Sequence, residues 1–266
     1  MDRQTSLHKT KPKVIVIGLA SCFGCQLQIS NAEEHLLDIL DLFNLQYWQL
    51  ISDDQMPQDY DIAIIEGAVT TQKSIELVKK VRQTAKYVVA IGACANTGGV
   101  LGLCSVAHED KIKTVYSKSN KNISGEAYLP GACDVPTAPC PICDVIEVDA
   151  KVLSCPIDTY EFLAVLHSLL FGNNNQLKTT TLCGECKQNE SNCFYKRGQI
   201  CLGLVTQSGC GAKCVNLGRP CMGCRGLSAD ANVQSAREFI AEKGLSVEKF
   251  ASLLDVFNAS ARLKDE

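Results

Sequence analysis

The sequence predicts an α/β protein: a doubly wound parallel sheet, then an irregular cysteine-rich segment and closing helices. Three observations lead there. Short apolar runs alternate with helical patterns over residues 13–171, the signature of strands and helices in layers. Cysteines recur immediately after several of those runs. Beyond residue 172 the composition changes, and cysteine and glycine take the place of apolar periodicity.

Composition bounds the function. The 266 residues suffice for one large domain or two of ordinary size, and 46% are hydrophobic, enough for a core. A formal charge of −3 gives no basic field of the kind nucleic-acid binding draws on, so no nucleic acid is expected as partner. The N-terminal residues carry no apolar signal-like region, and no run approaches the ~20 apolar residues of a membrane span, so a cytoplasmic location without membrane insertion is expected. The chain holds 16 cysteines against four histidines. In a reducing compartment such density points to metal more than to disulfides.

Residues 13–19 form the first expected strand, an unbroken apolar run suited to burial on both faces. Ser21-Cys22-Phe23-Gly24-Cys25 follows, at the turn into a helical pattern that reaches Phe43. In open α/β sheets ligands bind beyond the carboxyl ends of the strands, so this pair suits a thiolate-ligated centre, or alternatively a thioredoxin-like redox pair. Residues 45–51 and 61–67 are the next strands; Thr70 or Thr71 caps a helix through Val81, and residues 87–92 form a fourth strand with Cys94 just beyond its end. Residues 103–144, rich in Pro, Gly, Ser and Asn, read as a long loop. Residues 145–153 resume as a strand, closed by Cys155-Pro156 before a helix over 160–171. Flavodoxin-like layering follows, with Cys22, Cys25, Cys94 and Cys155 each expected to close a strand on one edge, a ligand set for one [4Fe-4S] cluster.

Residues 1–172 are thus expected to form the sheet domain, and residues 173–266 a second domain. Between Cys183 and Cys224 lie eight cysteines and seven glycines, too little apolar pattern for a core without another source of cohesion. Chain order divides the thiols into Cys183, Cys186, Cys193 and Cys201, and Cys210, Cys214, Cys221 and Cys224, although neighbouring clusters can exchange ligands. Helices over 231–243 and 246–263 close the chain.

The combination Cys22-Phe23-Gly24-Cys25, Glu66-Gly67-Ala68-Val69-Thr70, Gly92-Ala93-Cys94-Ala95 and Cys155-Pro156 with a cysteine-rich tail resembles the small subunit of [NiFe] hydrogenases. Leu182-Cys183-Gly184-Glu185-Cys186, Cys201-Leu202-Gly203 and Cys221-Met222-Gly223-Cys224-Arg225-Gly226 resemble most the delta-type subunit of cytoplasmic NAD(P)-linked sulfhydrogenases. The resemblance implies an electron relay of three [4Fe-4S] clusters with no nickel-iron site in this chain. That site would lie in a separate large subunit next to the cluster of Cys22, Cys25, Cys94 and Cys155; the tail clusters would lead to a flavin and iron-sulfur partner that handles NAD(P). Ser154-Cys155-Pro156-Ile157 departs from the family's Gly-Cys-Pro-Pro, and Cys104, Cys133, Cys140 and Cys143 are thiols the family pattern does not use. Those four could hold a further metal or be ordinary free thiols.

Other readings stay open. The related respiratory complex I subunit shares the fold and works beside a quinone site, but usually has adjacent cysteines at the first motif and no such tail. Cys183-x2-Cys186 and Cys221-x2-Cys224 could instead pair as a zinc ribbon in an interaction module. Glu66 could take part in proton movement, tune the cluster, or accept backbone N–H bonds from the turn after it. Arg225 could raise a cluster potential by its charge or be a solvated surface residue. His35 and His167 read as packing or surface residues.

Overall fold

A computed structural model of the chain describes residues 11–32, 37, 41, 43–105, 110, 134, 136–172 and 177–265, with side chains described through Ser260. Strand β1 (Lys13–Gly18) runs into helix α1 (Gly24–Ser30). The helical pattern expected beyond Ser30, His35 included, falls largely outside the described residues. Next come β2 (Asn44–Trp48), β3 (Ile62–Glu66), the short β4 (Val69–Thr71), α2 (Gln72–Thr84), β5 (Tyr87–Ile91) and α3 (Gly92–Thr97), which leads into a 3-10 turn over Gly99–Cys104. β6 (Pro136–Cys140), β7 (Ala150–Val152) and α4 (Thr159–Phe171) complete the first half.

The five-stranded sheet has the order β2-β1-β3-β5-β7, and every pair in it is parallel. With β4 and β6 set aside as a separate antiparallel ribbon, this is the flavodoxin order, with its crevice where β1 and β3 diverge. Alternation along the strands explains the layering. Val14, Val16, Ile62, Ile64, Val89 and Ile91 pack with Phe162, Val165 and Leu166 of α4 on one face. Ile15, Ile17, Ala63, Ile65, Val88 and Ala90 pack with Val78 and Val81 of α2 on the other. Thr71 is the cap of α2: its hydroxyl accepts the Ser74 N–H at 3.1 Å while Ser74 accepts the Thr71 N–H at 3.0 Å.

Three expectations about elements are corrected. Residues 103–144 are not wholly loop, because β6 pairs with β4 through Val69 and Cys140. The strand expected over 145–153 is only Ala150–Val152. Asp149, just before it, turns its carboxylate to the Val88 N–H at 2.7 Å and to Arg82, and Ile142 and Ile146 fill the core from a 3-10 turn and the bend after it. The four thiols of the first half follow three strands rather than four, since Cys22 and Cys25 both follow β1.

In the second half, α5 (Leu182–Gln188), α6 (Lys213–Asn216), α7 (Val233–Glu242) and α8 (Val247–Asp265) are joined by turns. The expectation that this stretch lacks an apolar core is also overturned. Leu182, Phe194, Ile200, Leu202, Val205 and Val215 are buried with Ile240 of α7 and Phe250 and Leu254 of α8. The cysteine-rich segment is too irregular to show a period, and its core is completed by the two closing helices. α8 also returns to the first half, where Ser260 stands against Gly98 and Gly102. Among the described residues no helix is long and apolar enough to cross a membrane.

Candidate metal centres

The first thiol group lies on the carboxyl edge of the sheet. Cys22 sits in the turn after β1, Cys25 in the first turn of α1, Cys94 in α3 directly after β5, and Cys155 just after β7. The structure brings these four together: Cys94 is influenced by the Cys155 and Cys22 sulfurs, and Cys25 by those of Cys155 and Cys94. Burial pushes the Cys94 thiol up to about 11 and raises Cys25 still further, with the Glu66 carboxylate adding to both. Close, desolvated thiols of this kind lose their protons readily only to a cationic centre, which suits iron in a cluster. Space agrees with that chemistry. Gly92 has φ 81°, and a Cβ there would collide with the Cys25 sulfur, so only glycine lets α3 begin this close to the group.

Glu66 is 2% exposed and closes β3 at the crevice. Its two oxygens accept the backbone N–H groups of Cys25 at 3.1 Å and Gln26 at 3.3 Å. The carboxylate therefore does accept backbone bonds, but from the start of α1 rather than from its own following turn. Asn96 is a residue that sequence reasoning missed. Its amide nitrogen donates to the carbonyls of Ala90, Gly92 and Val152 at 2.9–3.1 Å, tying the ends of β5 and β7 together beneath Cys94 and Cys155. Only its place two residues after Cys94 hinted at this.

The tail thiols fall into two neighbourhoods. Cys183 is pushed up to about 11 by burial and then by Cys201, Cys186 and Cys193. Cys224, pushed up to about 11 by burial, faces Cys210 and Cys214. Cys221, buried and pushed up to about 12, faces both Cys201 and Cys224 and so stands at the boundary. Cys183 and Cys186 thus lie in one group and Cys224 in the other, with Cys221 between them. Among the described residues, in the first group as in the tail, no three His, Cys, Asp or Glu side chains come together closely enough for a single ion.

Sulfur-directed backbone bonds link the groups. The Cys221 N–H donates to the Cys201 sulfur at 3.2 Å, and Cys155 lies beside the Cys224 sulfur. Glu185, between Cys183 and Cys186, accepts the N–H groups of Gly209 and Gly211 at 2.8 Å each, on both sides of Cys210, and pairs with Lys178 at 2.8 Å. Arg225 is buried rather than solvated: it is 3% exposed and forms a two-pronged pair with Glu161.

Cys104 and Cys143 are exposed, and Cys140 is half-buried at the end of β6. Cys133 lies outside the described residues. His167 is exposed on α4, its ring tilted against that of Phe171 with centroids 4.3 Å apart, and so is the surface residue of the two readings.

The family model described as NADH ubiquinone oxidoreductase, 20 Kd subunit, matches residues 22–169. The chain is 32% identical over 231 residues to the sulfhydrogenase 2 subunit delta of Pyrococcus furiosus, covering 86% of this chain and 92% of that one. It is 30% identical over 167 residues to the delta subunit of the NAD-reducing hydrogenase HoxS of Cupriavidus necator, covering 61% of this chain and 80% of that one. A crystal structure of an NAD+-reducing [NiFe]-hydrogenase in the H2-reduced state shares the fold, with a TM-score of 0.55 and 24% identity, over 62% of this chain and 94% of its own.

Proposed function

Since the chain belongs to the NADH ubiquinone oxidoreductase 20 Kd subunit family, among relatives that are hydrogenase delta subunits, we propose that it is the electron-transfer small subunit of a cytoplasmic [NiFe] hydrogenase. In this reading the nickel-iron site belongs to a separate large subunit, and this chain has no catalytic residue of its own. Cys22, Cys25, Cys94 and Cys155 hold one [4Fe-4S] cluster in residues 1–172. Cys210, Cys214, Cys221 and Cys224 hold the second, and Cys183, Cys186, Cys193 and Cys201 the third, both in residues 173–266. Such clusters supply one-electron transfer; the chain's residues hold them, bury them and hydrogen-bond their sulfurs.

The observation that carries the reading is the succession of neighbouring thiols, Cys155 beside Cys224 and the Cys221 N–H donating to the Cys201 sulfur at 3.2 Å. It favours the order first group, Cys210–Cys224 group, Cys183–Cys201 group. The outer ends suit partners. Cys22 and Cys155 are exposed, with the apolar Leu27, Val100 and Leu103 also exposed on the elements that carry Cys25 and follow Cys94, a face for the large subunit. Cys193 is exposed at the other end, toward a flavin and iron-sulfur partner that reduces NAD(P). The quinone-linked alternative is weaker, because the 20 Kd subunit model ends at residue 169, before the tail, whereas the sulfhydrogenase relative extends over 86% of the chain. Cys104, Cys133, Cys140 and Cys143 are assigned no cluster in this proposal.

Hydrogen-driven reduction tests it. In the complex purified anaerobically with its large subunit, hydrogen should reduce the iron-sulfur centres and then an added NAD(P) or dye. Cys155→Ala should abolish that transfer while nickel stays in the large subunit. Transfer at the unaltered rate in Cys155→Ala would remove this chain from the electron path.

A further inference from the structure

We propose that Arg225 and Glu161 form a largely buried charge pair that sets the potentials of the first and second centres against that of the third, an inference that rests on the relay reading above. Arg225 follows Cys224 directly, and its guanidinium is aimed at both centres' loops. Nη1 donates to the Ser154 hydroxyl at 3.0 Å, next to Cys155, and Nε donates to the Ser208 carbonyl at 3.0 Å, two residues before Cys210. Nη1 and Nη2 grip Glu161 of α4 at 2.7 and 2.8 Å. Nearby, Lys213 pairs with Asp158 at the cap of α4, so Arg225 and Glu161 neutralise each other.

Two backbone concessions converge on this guanidinium. Gly209 has φ 126°, and a Cβ there would collide with Arg225. Ser154 has φ 95°, a conformation disfavoured for a residue with a side chain. Its hydroxyl is the group that meets Arg225, which accounts for a serine here. A buried ion pair is a poor way merely to join two halves, since apolar packing of similar volume often serves stability as well or better. What it supplies that apolar packing does not is a fixed field between two redox centres, because cluster potentials respond to nearby charge, burial and hydrogen bonds to sulfur.

The sign of that field makes the proposal testable. A cation favours the more negative, reduced cluster. Removing only the negative partner leaves a net positive charge, and removing only the positive partner leaves a net negative one. In the purified complex, EPR-monitored redox titration of Glu161→Gln should move the first and second centres to higher potential. Arg225→Gln should move them to lower potential. Each shift should be about tenfold in the oxidised-to-reduced ratio, which is about 59 mV for a one-electron couple. The double variant should lie between, Arg225→Lys should lie nearer wild type than Arg225→Gln, and the Cys183–Cys201 centre should move least. A purely structural clamp would instead shift both single variants in the same direction or not at all. With wild-type iron content, an unmoved or lowered potential in Glu161→Gln overturns the proposal even if Arg225→Gln fails to assemble. Absence of iron-sulfur signals from the wild-type complex would overturn the relay reading and this inference together; unmoved potentials in a fully loaded complex overturn this inference alone.

Discussion

Glu185→Gln is the substitution that most sharply tests how the tail is held. The Glu185 carboxylate is 13% exposed and spans the two tail groups, gripping Gly209 and Gly211 N–H at 2.8 Å each while Lys178 meets it at 2.8 Å. Glutamine keeps the shape. Its oxygen can retain one N–H bond, but its NH2 must then face the other N–H. A hydrogen bond to a charged group contributes about 1.5–3 kcal/mol and a neutral one about 0.5–1.5 kcal/mol. The retained bond therefore weakens by about 1 kcal/mol and the lost one costs about 2 kcal/mol. The Lys178 pair adds little, because the lysine side chain is 62% exposed. The sum is about 3 kcal/mol, or about a hundredfold in an opening equilibrium. The assay is iron release to a chelator in mild denaturant under anaerobic conditions. The variant should release the iron of the Cys210 group up to about a hundredfold faster and before that of the first group. Release within twofold of wild type would refute the reasoning, as would simultaneous loss from all groups.

Further expectations follow from the same geometry. Burial alone would raise the Glu185 pKa, but Lys178 and the Gly209 and Gly211 N–H groups outweigh it and hold it below its ordinary 4.5. Its stabilisation is thus complete above pH 4.5 and lost as pH falls through the lowered folded value, so the Glu185→Gln to wild-type ratio of release rates should approach one only in that acid range. Asn96→Ala should destabilise the sheet edge by about 2 kcal/mol, and Asn96→Asp by more, since a carboxylate would face three carbonyls that now receive an N–H. Equal unfolding midpoints for the two variants would contradict that. Gly92→Ala should lower iron content by about four per chain, one cluster's complement, with the tail signals retained; full iron content would contradict the close packing of α3 on Cys25. Alkylation of the intact holoprotein should mark the exposed Cys104 and Cys143 and spare the exposed Cys22, Cys155, Cys193 and Cys214, because only ligation protects the latter. Mass spectrometry reads that difference directly.

Much of the sheet was legible because its strands are buried on both faces and so read as unbroken apolar runs, β1, β3 and β5 above all. The short edge strand β7 was misjudged because apolar residues before it, such as Ile146, fill the core without entering the ladder. β6 was missed for a related reason: Pro136-Thr137-Ala138-Pro139-Cys140 has the composition of a loop and becomes a strand only by pairing with β4. Thiol spacing announced chemistry, but not what braces it. Glu161 stands 64 residues from Arg225, and Glu185 24 and 26 residues from its N–H partners, distances over which no local pattern signals a contact. The apolar core of the tail was hidden likewise, since Ile240, Phe250 and Leu254 arrive from helices beyond the cysteines.

The central claim is that this chain carries three clusters on twelve thiols, and metal analysis of the anaerobically purified protein tests it most directly. Iron, acid-labile sulfide and zinc should be counted on the same sample, with an EPR spectrum of the reduced state. The account predicts about twelve irons and twelve sulfides per chain, no stoichiometric zinc, and interacting [4Fe-4S]+ signals. About four irons with two zincs would contradict it and make the tail a structural module.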